Sequence, residues 1–273
     1  MKKLTSFLTA SVLLFSPLIS ADSTLTALEQ AASHPVRPAQ HKARDIYRNP
    51  VQTLAFFEVT PTSTVIEIAP GNGWYTEILA PLLSEKGKLY AAHFPEDSTS
   101  DYAKRNRAAF IEKLAANPVF RNVTVTGFAP IDGIAIAPAG TADVVLTFRN
   151  LHNWYSQNGE QAMLAAFSSF YQALKPGGVL GVVEHRLPET RLHDENWVRS
   201  GYFPPSLAIK LAEQAGFIFD SSSEINANSK DTADHPGGVW TLPPTLRLGE
   251  QDKEKYLAIG ESDRMTLKFR KPQ

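Results

Sequence analysis

The sequence predicts an α/β protein: a seven-stranded, mainly parallel sheet with helices on both faces and an antiparallel last strand. Three observations predict it. From residue 64 onward, apolar runs of strand length alternate with stretches whose apolar residues recur at helical spacing. Runs such as "TVIEIA" (64–69) and "ADVVLTF" (142–148) are apolar almost throughout, as strands covered on both faces are. The closing "DRMTLKFRKP" (263–272) alternates Met265, Leu267 and Phe269, and no helical pattern precedes it across 225–262, so it is expected to run against its neighbours.

The elements follow in order. Lys2 and Lys3, the apolar stretch Leu4 to Ile19 and the small residues Ser20 and Ala21 form the pattern of a secretory signal peptide over 1–20, cleaved after Ser20 or Ala21. The apolar stretch is too short and wrongly flanked for a stable membrane span. Export across the inner membrane, to a periplasmic location, is therefore expected. Residues 21–60 read as an N-terminal helical segment, with one or two short helices in 34–57 and Pro50 suited to a first turn. Residues 61–273 read as the main domain. "TVIEIA" is its first strand, and "GWYTEILAPLL" opens a helix that Pro81 shortens or kinks. "GKLYAAHF" is the second strand, "DYAKRNRAAFIEKLAAN" a helix, "RNVTVTGF" a half-buried third strand and "ADVVLTF" the fourth. "EQAMLAAFSSFYQAL" is a helix that "KPGG" stops, with Asn153 able to cap a helix beginning near 157. "VLGVVEH" is the fifth strand, "PSLAIKLAEQAG" a helix and "FIFDSSSEI" the sixth strand. Residues 225–262 are expected to form a long loop, which at that length is often a lid or other functional segment.

Composition narrows the function. The chain has no cysteine, which excludes disulfides, thiolate metal sites and a thiol nucleophile. Without residues 1–20 it carries 25 Lys and Arg against 28 Asp and Glu, a net of −3. No basic run is dense enough to predict nucleic acid or an anionic membrane as partner. There is no "GxSxG" elbow, which argues against a serine hydrolase.

Ligands of parallel sheets bind beyond the carboxyl ends of the strands. That places the candidate edge at 67–74, 92–97, 127–132, 148–155 and 184–188. In "VIEIAPGNG", Gly71 and Gly73 allow a sharp turn and close approach of a ligand, and Glu67 suits a ligand bearing an ammonium or other donors. A dinucleotide fits less well, because Thr76 stands where the third glycine would be and His93 where the ribose acid would be. Glu96 and Asp97 would replace that acid only if their loop folds back.

The pieces "VIEIAPGNGWYTEILAP", "GKLYAAHF", "ADVVLTFRNLHNW", "LKPGGVLGVVEHR" and "TLKFRKP" resemble the class I S-adenosylmethionine-dependent methyltransferases, and most of all those of bacteria that carry a signal peptide. The resemblance spans 44–272 and implies a Rossmann-like fold, methyl transfer to an unidentified acceptor, and S-adenosylmethionine as cofactor. It implies that Glu67, Gly71 and Gly73 cradle the methionine part, and that His93, Phe128 and Arg149 border the rest of the cofactor. The chain departs from the family's pattern at Ala69, in place of the first glycine, and at His93 and Phe128, in place of the ribose and adenine acids. In "FRNLHNWY" the resemblance implies that Asn150 orients the acceptor and His152 takes its proton. Trp154 and Tyr155 would wall the acceptor pocket with His185, which ends strand five beside Glu184. His93, His152 and His185 lie beyond three strand ends, but their spacing matches no metal motif, and no metal is expected. S-adenosylmethionine is made in the cytoplasm, so the alternative reading is a secreted non-catalytic binding protein on a degenerate methyltransferase scaffold.

Overall fold

The computed structural model describes residues 21–194 and 196–273; the proposed signal peptide lies outside them. The chain opens with α1 (Ala21–Ser33) and three short helices, α2 (Ala39–Lys42), α3 (Asp45–Arg48) and α4 (Pro50–Phe56). Then come β1 (Thr64–Ile68), α5 (Thr76–Leu82), β2 (Lys88–His93), α6 (Asp101–Ala115), β3 (Val123–Gly127) and β4 (Ala142–Phe148). The second half holds α7 (Leu151–Ala173), β5 (Leu174–His185), α8 (Pro205–Gln214), β6 (Ile218–Ser223), α9 (Lys253–Ile259) and β7 (Arg264–Arg270).

The seven strands form one sheet in the order β3-β2-β1-β4-β5-β7-β6. β1 pairs in parallel with β2 and β4, β2 with β3, and β4 with β5. β7 runs antiparallel to both β5 and β6, as the sequence predicts. Successive strand residues face opposite sides. Val65 joins Leu28, Leu54, Phe57, Ile78 and Leu79 on the face covered by α1, α4 and α5. Ile66 joins Met163, Phe167, Phe170 and Leu211 on the face covered by α7 and α8. The N-terminal segment is thus part of the core, since Leu28, Leu54 and Phe57 are fully buried.

Pro81 sits in the last turn of α5, which ends one residue later, so the helix is short as the sequence suggests. Two local expectations change. α7 begins at Leu151, not near 157, and is broken at Asn158 and Gly159, whose backbones leave the helical region. Asn150, not Asn153, occupies its N-cap position. The stretch 225–262 is not without helix: it contains α9 and a 3-10 turn at Gly238–Thr241. Seven residues make about two turns, too few for a helical period to show.

Topology positions the site. The order reverses between β1 and β4, where a crevice opens. β6 ends at the same edge as β1, β4 and β5, and antiparallel β7 starts there. The connection 224–263 therefore has to lie over the crevice.

Candidate functional site

Two cavities open at this edge, of about 510 and 700 Å³. Both are bordered by Ala69, Gly71, Tyr102, Asn150 and Asn153, so they meet at the turn after β1. Ala69 and Arg149, the residues that leave β1 and β4, both take positive φ, 47° and 62°. Non-glycine residues seldom do this, and such strain concentrates at ligand sites.

The glycines divide the work. Gly73 takes φ +75°, and a Cβ there would stand 2.9 Å from Phe110, so α6 packs against bare backbone. Gly71 takes φ +58°, and a Cβ there would meet nothing within 4 Å; the space it faces belongs to the crevice. The turn is pinned from outside by Lys113, whose Nζ donates to Asn72 O at 2.6 Å. His93 pins it from β2. Its Nδ1 accepts from Phe94 N at 2.8 Å, so Nε2 carries the proton and faces Gly71 O at 3.3 Å. Burial pushes its pKa down to about 4. Both ring nitrogens are engaged, so His93 borders the crevice with its ring and offers a ribose no hydrogen bond in this arrangement. Glu67 is buried, with Thr76 Oγ1 donating to Oε2 at 2.6 Å. Burial pushes its carboxyl up to about 7 despite that bond.

The larger cavity has an aromatic floor. Phe128 lies edge-to-face against Trp154, with ring centroids 5.1 Å apart, and borders the cavity with Ala129 and Pro130. Asp97 and Asp132 also border it. The loop after β2 does fold back, and it brings Asp97; sequence reasoning missed Asp132, whose signal was an acid four residues beyond Phe128 at a strand end.

The smaller cavity holds the polar chemistry. Asn150 donates through Nδ2 to Ile68 O at 3.2 Å and to Thr147 Oγ1 at 3.1 Å, which fixes its side chain across the ends of β1 and β4. His152 is buried and faces Glu184, with Nδ1 3.0 Å from Oε1. Glu184 is fully buried and also accepts from the backbone N of Leu151 (2.6 Å), His152 (3.4 Å) and His185 (2.8 Å). It caps α7 and orients the imidazole in one arrangement. With Nδ1 donating to Glu184, Nε2 is the acceptor nitrogen, and it has no hydrogen-bond partner among the described residues. His185 lies beside it, ring centroids 5.5 Å apart, with Nδ1 2.5 Å from Ser262 Oγ. Burial and then the neighbouring His152, Arg264, Arg149 and Arg48 push His185 well below the usual imidazole range. Trp240, from the connection over the crevice, stands edge-on to His152 at 6.0 Å.

Four guanidinium groups line the same cavity: Arg44, Arg48, Arg149 and Arg264. Glu261 accepts from Arg44 Nε (2.5 Å), Arg48 Nε (3.2 Å) and Arg264 Nη2. Burial disfavours its charge, but the guanidiniums of Arg264, Arg48 and Arg44 outweigh burial and hold the carboxyl down at about 2.

Two expected pocket residues lie elsewhere. Tyr155 borders neither cavity; it stacks on Trp197 at 5.3 Å and meets Phe203. Trp154 lies under Phe128 in the larger cavity and not beside His152. A helix turns about 100° per residue, so with His152 facing Glu184, Trp154 two residues on points to the opposite side. His93 is directed to the glycine turn, and no group of three metal-ligating side chains converges among the described residues.

No model of a known protein family matches the chain, and no curated protein matches its sequence. Solved structures do match. An S-adenosylmethionine-dependent methyltransferase from Aquifex aeolicus superposes with a TM-score of 0.53 at 15% identity, over 90% of this chain and 97% of that one. Human N-acetylserotonin methyltransferase in complex with S-adenosylmethionine gives 0.52 at 14%, over 93% of this chain and 57% of that one. The fold is that of the class I S-adenosylmethionine-dependent methyltransferases. The 4+2 cyclase SpnF superposes as well, with a TM-score of 0.56 at 15% identity over 91% and 93%. A methyltransferase fold alone therefore does not fix the reaction, which has to be read from the site.

Proposed function

We propose that this chain is an S-adenosylmethionine-dependent methyltransferase with His152 as general base. The observation that carries the reading is the buried Glu184–His152 pair, which turns one free imidazole nitrogen toward a cavity that meets the glycine turn. The residues fit the cofactor on two grounds. Gly71 leaves open space at the junction of the cavities, and Glu67 is a buried carboxyl on the wall of the smaller one, suited to an ammonium. The nucleoside would lie in the larger cavity on Phe128, with Asp97 and Asp132 as the available carboxylates, and the amino-acid end would lie at Glu67.

When bound, the cofactor supplies an electrophilic methyl group on a sulfonium sulfur. The protein's part is positioning and exclusion of water. Asn150 spans the junction of the cavities and orients the nucleophile through its free Oδ1. His152 Nε2 takes the acceptor's proton, and Glu184 holds the ring in the tautomer that can accept it and stabilises the imidazolium that results. Trp240 stands edge-on to the imidazole on the wall of the same cavity.

The export signal in 2–19 supports a periplasmic site of action, where the cofactor has to be supplied from the cytoplasm. Calorimetry with S-adenosylhomocysteine tests the reading. Micromolar binding that Gly71→Val abolishes, with methyl transfer lost in His152→Asn while binding persists, is the expected result. No heat at millimolar ligand would leave a scaffold without cofactor.

A further inference from the structure

We propose that the arginine cluster of the smaller cavity binds an anionic group, a carboxylate or a phosphate, and that this group belongs to the methyl acceptor. The second half rests on the methyl-transfer reading; the first does not.

Arg44, Arg48, Arg149 and Arg264 line one cavity of about 510 Å³, and one carboxylate, Glu261, contacts three of them. Arg48, Arg264 and Glu261 are each 3% exposed, so water screens this excess poorly. Like charges so placed repel, and burial together with Arg149 pushes Arg48 down to about 8. A fold that keeps such a cluster without a ligand bears the cost of the excess cation.

The donors left over point to what offsets it. Among the described residues, Arg44 Nη2 and Arg264 Nε are buried and have no hydrogen-bond partner. Trp74 Nε1, which belongs to a residue on the same cavity wall, is likewise buried without a partner among them. The Arg149 guanidinium feels Arg264, Glu261 and Arg44 only through space and has no hydrogen bond among the influences on it. Arg149 also takes the positive φ of 62°, a strained backbone that aims the first residue after β4 at the crevice. Buried donors are almost always satisfied, and groups left open at a cavity mark where a ligand's acceptors belong. Guanidinium forks match carboxylate and phosphate oxygens two at a time.

Position favours the acceptor as the source. Arg264 opens β7, Arg149 follows β4, and both act electrostatically on His185, whose ring neighbours His152. An anion held there is anchored next to the general base. The competing source with the same chemistry is the cofactor's own carboxylate, and one experiment separates them.

Inorganic phosphate is titrated into the whole protein at constant ionic strength, with and without saturating S-adenosylhomocysteine, and binding is read by calorimetry. The expected result is phosphate binding that Arg149→Met and Arg44→Gln each weaken about tenfold or more, unchanged by S-adenosylhomocysteine. Arg44 is 23% exposed, so its replacement is the variant that keeps the fold if Arg149→Met does not. Absence of phosphate binding, or equal affinity in a folded variant, overturns the anion site. Displacement of phosphate by S-adenosylhomocysteine overturns its assignment to the acceptor. Arginine-dependent phosphate binding with no S-adenosylhomocysteine binding upholds the anion site and removes the methyl-transfer reading.

Discussion

Glu67 is a buried carboxyl at the crevice. Burial raises it from 4.5 to about 7. Between those values the folded chain binds more protons at this position than the unfolded chain does. Its contribution to stability is therefore full below 4.5 and is lost as pH rises to about 7, a change of about 3 kcal/mol. His93, lowered to about 4 by burial, acts in the opposite sense, because the unfolded chain takes up the proton first between 4 and 6.5. A comparison of wild type with Glu67→Gln isolates the carboxyl: in urea titrations at pH 5 and pH 7.5, the variant gains on wild type at the higher pH. Equal displacement at both values would remove the raised carboxyl. The same titration bears on ligand binding, since an ammonium prefers ionised Glu67; S-adenosylhomocysteine is expected to bind more tightly at pH 8 than at pH 6, and less so in the variant. His152 and Glu184 carry the other residue-level prediction. His152→Asn is expected to lower kcat about a hundredfold or more, as loss of a general base does. Glu184→Gln keeps the cap on α7 but accepts poorly from the imidazole, so kcat falls while the affinity for S-adenosylhomocysteine stays. Unchanged kcat in both variants would exclude a proton transfer through this pair.

At the scale of elements, the connection over the crevice is held by one buried carboxylate. Asp231 accepts from Tyr202 Oη on both oxygens at 3.0 Å, from His235 Nε2 at 2.8 Å, and from the backbone N of Ala233 and Asp263. Arg186 adds pairs with Asp263 and Glu224, at the two ends of the same connection. Asp231→Ala leaves several buried donors unpaired. It is expected to cost about 3–5 kcal/mol and to open 225–262 to proteolysis before the sheet; a cleavage pattern like that of wild type would refute the lock. This part of the site was least legible in the sequence. Arg44 and Glu261 touch across 217 residues, and no local pattern joins them. The arginines did leave a trace: Arg44 and Arg48 are four apart, one helical turn, and Arg264 is a charge at the head of an apolar strand. Glu184 was visible at the end of strand five, but its role was not, because that depends on β5 lying beside the start of α7. The glycine turn and His152 were legible because parallel strands end at one edge, and local sequence is enough to find that edge.

For the whole molecule, the sheet was readable because β1, β2, β4 and β5 send side chains into the cores on both faces, and enclosure leaves apolar runs in the sequence. What it left open is where the folded unit begins. The export reading places the mature N-terminus at Ala21 or Asp22, which removes 1–20 and keeps α1 intact from its first turn. α1 contributes to the core: Leu28 is fully buried and Ala31 is at 4% in the same cluster with Leu54 and Ile78. Loss of α1 would uncover apolar surface on α4 and α5. Leu28→Ala alone is expected to cost about 2–5 kcal/mol. The prediction has two parts that can fail separately. N-terminal sequencing of protein from the extracytoplasmic fraction should begin at Ala21 or Asp22, and a retained Met1 in the cytoplasmic fraction would refute export. A chain begun at Ala21 should unfold in one cooperative urea transition, and one begun at His34 should have a clearly lower midpoint. If the two midpoints coincide, α1 is no part of the stable core, and the boundary of the folded unit lies beyond it.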